Sequence, residues 1–187
     1  GSRYLVTHND SQLLVDCGLF QGLKQLRKRN WGEPPFTPSK IGTVLLTHAH
    51  IDHSGYLPLL VRRGFKGRIV CTKATLELSQ LLLRDSAHLQ EEEARYANKR
   101  GFSRHKPALP LYTLEDAEAA LALFEGVDYG TAVPLARGMS ARFHQAGHIL
   151  GSAMIAVDCE ERRTLFSGDL GRPNDPIMRP PAVVGEA

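Results

Sequence analysis

Leu45-Leu46-Thr47-His48-Ala49-His50-Ile51-Asp52-His53-Ser54-Gly55 puts three histidines and an aspartate within six residues, directly behind an apolar run. Thr43-Val44-Leu45-Leu46 is short, apolar and partly β-branched, the pattern of a buried strand, and Tyr56-Leu57-Pro58-Leu59-Leu60-Val61 after Gly55 opens a helix. The cluster therefore falls in a strand-to-helix loop. Imidazole nitrogens and carboxylate oxygens suit zinc and similar divalent ions, and such a loop can turn alternate side chains toward one point. A single histidine there would more often bond to backbone. His-x-His-x-Asp-His instead crowds four ligand-type groups that repel or go unmatched unless a cation gathers them.

A metal held by one loop usually takes further ligands from elsewhere, so His and Asp residues at the ends of other strand-like runs matter next. Such runs occur at 3–7, 12–16, 43–46, 68–71, 140–143, 153–157 and 163–166. Gln145-Ala146-Gly147-His148-Ile149-Leu150-Gly151-Ser152 sets a histidine after one of them, and Phe166-Ser167-Gly168-Asp169-Leu170-Gly171-Arg172 sets an aspartate after another. Alone, each is ordinary turn chemistry. Their shared position after a strand makes both candidates, and Asp16, ending Leu13-Leu14-Val15-Asp16, fits the same pattern.

His8-Asn9-Asp10-Ser11 supplies turn chemistry for a hairpin between the first two runs. Helical periodicity runs from Lys73 to about Asn98, and a second helix is expected from Thr113, with Asp116 three residues on, through Phe124 to Gly126. Between them, residues 99–110 carry five Lys, Arg or His and two prolines and read as an exposed loop. Hairpins mixed with helices indicate an α/β or α+β layering.

The chain has 187 residues, 42% of them hydrophobic, enough for one domain with a proper core. No stretch approaches the roughly 18–20 apolar residues of a membrane span, and no signal pattern opens the chain, so a cytoplasmic protein with no membrane partner is expected. Cys17, Cys71 and Cys159 are odd in number, far apart and set in apolar runs, as reduced core residues would be. A net charge of +3 permits a polyanionic substrate without demanding one. Two basic clusters, Lys24/Arg27/Lys28/Arg29 and Arg62/Arg63/Lys66/Arg68, could each meet phosphates or be solvated faces.

Taken together, these segments resemble the metallo-β-lactamase superfamily, and within it the beta-CASP ribonucleases, which include RNase J and the cleavage and polyadenylation endonuclease. The resemblance rests on Asp-Cys-Gly-Leu-Phe-Gln-Gly at 16–22, Leu-Thr-His-Ala-His-Ile-Asp-His-Ser-Gly-Tyr-Leu-Pro at 46–58, Ala-Gly-His-Ile-Leu-Gly-Ser-Ala at 146–153 and Ser-Gly-Asp-Leu-Gly-Arg at 167–172. It implies an α/β fold of the αββα type, present in part, with sheet layers flanked by helices. It implies two zinc ions: His48, His50 and His148 on one, Asp52 and His53 on the second, Asp169 bridging, and Asp16 orienting the histidine loop from behind. Two such ions share a hydroxide that attacks an RNA phosphodiester, with Asp52 as the catalytic residue that orients it.

Against that family pattern, residues 1–187 are expected to be the N-terminal part of the lactamase-like domain. The beta-CASP domain, the C-terminal part and the later histidines that complete the second metal and act as general acid have no counterpart in the sequence. The isolated chain is therefore expected to bind its second metal weakly and cleave RNA poorly. The partner implied is RNA, with DNA also admissible and a homodimer compatible. The competing readings are a small-molecule metallohydrolase, such as a thioesterase or lactamase, and an inactive RNA-binding paralogue; paralogues of that kind typically lose ligands, whereas every ligand position within 1–187 is filled.

Overall fold

The computed structural model describes residues 1–185, so the expected boundary at Ala187 lies outside them. All seven strand-like runs form strands. β1 (Tyr4–His8) and β2 (Ser11–Val15) make the expected hairpin, turned by Asn9 and Asp10 at φ 44° and 64°. Asn and Asp tolerate that left-handed backbone, and two such residues in a row give a turn whose twist matches its strands.

β2 then pairs in parallel with β3 (Ile41–Leu45), β3 with β4 (Arg68–Thr72) and β4 with β5 (Phe124–Val127), giving a five-stranded sheet in chain order. β6 (Ala132–Pro134), β7 (Ser140–Gln145), β8 (Ala153–Cys159) and β9 (Arg162–Phe166) form a second, antiparallel sheet. The helices are α1 (Lys24–Lys28), α2 (Ile51–Ser54), α3 (Leu57–Arg62), α4 (Lys73–Arg100) and α5 (Leu114–Leu121).

Alternation along the central strands builds two cores. Leu14, Val44, Ile69 and Cys71 face the helices and pack with Tyr56, Leu57, Leu60, Leu83 and Ala117. Leu13, Val15, Leu45 and Val70 face the other way, against Ala141, Phe143, Ile155 and Val157 of the second sheet. Strands covered on both sides must be apolar at successive positions, which is why these read as unbroken runs. Burying one such Leu or Val contributes about 1.5–3 kcal/mol, so the sandwich is firmly held.

Two expectations are corrected. The second helix stops at Leu121, and Phe124–Val127 is β5, added as a parallel edge to β4 with Ile69 opposite Phe124. The metal-type cluster is also not all loop: α2 starts at Ile51, so Asp52 and His53 ride on a single helical turn. The capping box at Thr113 and Asp116 is formed, and Cys17, Cys71 and Cys159 are free. Among the described residues, no helix is long and apolar enough to cross a membrane.

Candidate metal centre

Every candidate ligand leaves the end of a strand on one edge of the sandwich. β2 and β3 run in parallel with Val15 beside Leu45, so Asp16 and the Leu46-Thr47-His48 turn emerge side by side. The second sheet is joined to that turn by Ala153 N–H donating to Thr47 O at 2.8 Å. Gln145 lies opposite Ala153, which brings the His148 loop to the same edge. Ser152 Oγ accepts from His148 N–H and Ile149 N–H, while Gly171 N–H and Ala182 N–H donate to Ala146 O and Gln145 O. The Asp169 turn is thus laced to the His148 turn. Gly171 must be glycine for this approach, because a Cβ would lie 1.7 Å from Gly147 O.

His48 Nε2 and His148 Nε2 lie 3.1 and 3.2 Å from His50 Nδ1. One proton on His50 could satisfy only one of these contacts, so lone pairs face each other unless a cation separates them. Tetrahedral zinc with Zn–N of about 2.0–2.1 Å sets ligand atoms about 3.3–3.4 Å apart, close to what is found. Asp169 supplies a fourth atom, and one ligand atom from each of His48, His50, His148 and Asp169 lies within 4.8 Å of the others. This donor set fits a metal ion.

Asp169 faces two ways. Its Oδ2 is 3.8 Å from His48 Nε2 and 3.6 Å from His148 Nε2, whereas its Oδ1 is 3.4 Å from His53 Nε2. Asp52 Oδ2 stands 3.8 Å from that same His53 Nε2. All six sequence-predicted ligands therefore gather at one place, in a group of four donors and a smaller group of three that share Asp169.

Behind them lies Asp16, which is buried. Its Oδ1 accepts from Thr47 N–H at 2.8 Å, both oxygens lie 2.9 Å from Thr47 Oγ1, and Oδ2 is 2.7 Å from His53 Nδ1. Burial raises the Asp16 pKa, and these donors offset that rise only in part. Three converging donors are the surroundings of a carboxylate, so His53 Nδ1–H donates and Nε2 is left with its lone pair toward Asp52 and Asp169. Burial alone would lower His53, yet the bond to Asp16 and the nearby carboxylates carry its pKa up.

Thr47 extends the network to a second histidine, and sequence reasoning assigned it no role. Its single hydroxyl proton goes to Asp16, so its oxygen accepts from His48 Nδ1–H at 3.0 Å. That fixes the tautomer that leaves His48 Nε2 free for a metal. Burial, followed by the neighbouring His53, His50 and His148, drives His48 down to a pKa of about 3, so its ring is neutral at ordinary pH. His50 is lowered as well, chiefly by burial and His148. The signal available in the sequence was a hydroxyl residue between a buried strand and the first histidine.

A family model for the metallo-β-lactamase superfamily matches residues 1–185. Ribonuclease TTHA0252 of Thermus thermophilus is 34% identical over 183 residues, which is 98% of this chain and 38% of that protein. Transcription termination factor FttA of Methanocaldococcus jannaschii is 27% identical, covering 91% of this chain and 25% of the relative. Endoribonuclease ysh1 of Emericella nidulans is 28% identical, covering 97% and 20%. The chain thus spans from about a fifth to two fifths of these curated relatives. Among solved structures, a metallo-β-lactamase of Cronobacter sakazakii, a HARLDQ motif mutant named S60, superposes with a TM-score of 0.55 at 19% identity, over 94% of this chain and 58% of its own.

Proposed function

This chain belongs to the metallo-β-lactamase superfamily, and from that premise we propose that it carries the metal centre of a zinc-dependent ribonuclease of the beta-CASP type. His48, His50 and His148 would hold one zinc ion, Asp52 and His53 a second, and Asp169 both. The observation that carries this reading is the split of the Asp169 carboxylate between the two groups, Oδ2 toward His48 and His148 and Oδ1 toward His53. When bound, a pair of divalent ions supplies a water of lowered pKa and neutralises phosphate charge.

The protein's own part is positioning. Asp16 holds His53 through Nδ1, and Thr47 holds His48 through Nδ1, so neither imidazole has to choose a tautomer or rotate. Asp52 is about half exposed at the mouth of the centre, where its carboxylate would accept a hydrogen bond from the attacking water and aim it at phosphorus. Among the described residues the second group has only three donors, Asp52, His53 and the shared Asp169, so its metal is held more weakly than the first.

RNA as substrate is supported by the likeness to the two ribonucleases, whereas the likeness to the Cronobacter enzyme concerns fold alone. Free cysteines and a chain without a membrane-crossing helix among its described residues suit a cytoplasmic setting. The test is zinc analysis together with an end-labelled RNA assay, run on this chain and on His148→Gln and Asp169→Asn. Two zinc ions of unequal affinity are expected, with His148→Gln losing the tighter one and Asp169→Asn weakening both. A chain that binds no zinc, or whose zinc content ignores both substitutions, overturns the assignment.

A further inference from the structure

The two basic clusters are alike in sequence and part company in the fold. Arg62 donates to Asp116 and Leu111 O, Arg63 to Trp31 O, Gly32 O and the Tyr56 hydroxyl, and Arg68 to Glu125 and Pro134 O. Those three arginines are internal mortar, whereas Lys66 is exposed. Among the described residues, Lys24, Arg27 and Lys28 make no ion pair and no side-chain hydrogen bond. They sit on α1, a helix with no buried residue.

This bare helix is nevertheless fixed in place. Asn30 clamps the loop by accepting from Phe20 N–H and donating to Phe20 O, both at 2.9 Å. Arg63 grips the Trp31 carbonyl at 3.0 Å while the indole stays 54% exposed. The Arg29 guanidinium stacks over Phe20 at 4.7 Å. Between this loop and α4 runs an open groove of about 520 Å³, lined by Lys24, Arg27, Lys28 and Trp31, with Glu93 as the one acidic group on its wall. Leu19 also lines it, and the Leu19 N–H donates to Ile51 O in the turn that carries Asp52 and His53.

We propose that this groove binds the single-stranded flank of an RNA whose scissile phosphate lies at the metal centre, with Trp31 stacking on a base and Lys24, Arg27 and Lys28 meeting phosphates. The inference rests on the ribonuclease reading above. Free cations beside an exposed aromatic ring are the means by which proteins hold single strands without reading sequence. Three cations against one carboxylate complement a polyanion, and the bond from the lining residue Leu19 to the turn that carries Asp52 points to the substrate, rather than a separate partner, as that polyanion.

Trp31 is the chain's one tryptophan, so its emission reports on the groove directly. The metal-free chain, kept in chelator, is titrated with a 12-nucleotide oligouridylate. Saturable quenching is expected, with affinity falling steeply as salt rises. Lys24→Ala, Arg27→Ala and Lys28→Ala should each lower the log–log salt slope by about 0.7 for every phosphate no longer neutralised. Trp31→Leu, followed by anisotropy of labelled RNA, should weaken binding about fivefold or more. Lys66→Ala, which removes one charge away from the groove, should leave affinity within about twofold.

Absent quenching overturns the proposal. So does equal quenching by a blunt RNA duplex or by an oligoglutamate peptide, or an equal effect of Lys66→Ala. Zinc content of the metal-loaded variants keeps the two readings apart. No quenching in a chain whose zinc content still responds to His148→Gln and Asp169→Asn removes the groove alone, and quenching in a chain that binds no zinc removes the ribonuclease reading alone.

Discussion

Replacing Thr47 by valine keeps the shape of a side chain that is 1% exposed and removes only its hydroxyl. That hydroxyl lies 2.9 Å from both Asp16 oxygens and 3.0 Å from His48 Nδ1, so it joins the carboxylate to the first histidine by hydrogen bonds. In Thr47→Val the His48 Nδ1–H faces a methyl group, and a buried donor left without a partner costs about 1–3 kcal/mol. The tautomer with Nε2 free loses its bias at the same time. Outer partners of metal ligands typically change metal affinity about 10–100-fold, which is about 1.4–2.7 kcal/mol. Thr47→Ser is the converse change: it keeps the hydroxyl and deletes a methyl, at about 0.8 kcal/mol of stability. Competition against a chromophoric zinc chelator reads the first quantity, and urea unfolding in EDTA reads the second. The expected pattern is a zinc affinity lowered at least tenfold in Thr47→Val and nearly unchanged in Thr47→Ser. Equal zinc affinity in the two variants would refute the hydroxyl relay and leave Thr47 as mere packing.

Asp52→Asn should abolish RNA turnover more completely than it lowers zinc content, because the amide could still lie beside a second metal but would no longer orient the water as a carboxylate does; an active, zinc-replete variant contradicts that role. Gly171→Ala drives a Cβ to 1.7 Å from Gly147 O and Gly18→Ala drives one to 1.6 Å from Asp52 O. Overpacking of this kind costs about 1–3 kcal/mol, and zinc titration should show Gly171→Ala weakening the tighter site and Gly18→Ala the weaker one. The His48 pKa of about 3 lies below its ordinary 6.5, so between those values the unfolded chain binds a proton that the folded chain does not. In EDTA, the stability difference between the wild type and His48→Gln should therefore rise with pH from about 3 to about 6.5 and level off above; denaturant midpoints that diverge in the opposite sense refute the burial argument.

The histidine cluster and the strands behind it were readable because each depends on neighbours a few residues away. Leu13-Leu14-Val15 is apolar at every position since the strand has a core on both faces, and the Asn9-Asp10 turn announces its own backbone. β5 was misread for the opposite reason. Ala117, Ala120, Leu121 and Phe124 keep helical spacing, but Phe124 belongs to a strand that exists only because β4 offers an open parallel edge, with Ile69 N–H donating to Leu123 O. Periodicity carries no record of a vacant edge. The two basic clusters show the same limit, since the acceptors that occupy Arg62, Arg63 and Arg68 come from distant parts of the chain.

The candidate ligands are divided between the two sheets, and this gives the proposed centre its character. The turns carrying His48, His50, Asp52 and His53 belong to the five-stranded mixed sheet, while His148 and Asp169 follow β7 and β9 of the antiparallel one. Closing the four-donor group therefore requires the sandwich to be assembled, and the bond from Ala153 N–H to Thr47 O ties assembly to the residue that sets the His48 tautomer. A metal bound there would stabilise the packed sheets by mass action, by about 2.7 kcal/mol when free metal is 100 times its dissociation constant. The smaller group differs: His53 is buried and locked to Asp16, whereas Asp52 and Asp169 are each about half exposed. The rigid side of the centre thus faces the core and its open side faces solvent, which is where a phosphodiester would have to enter.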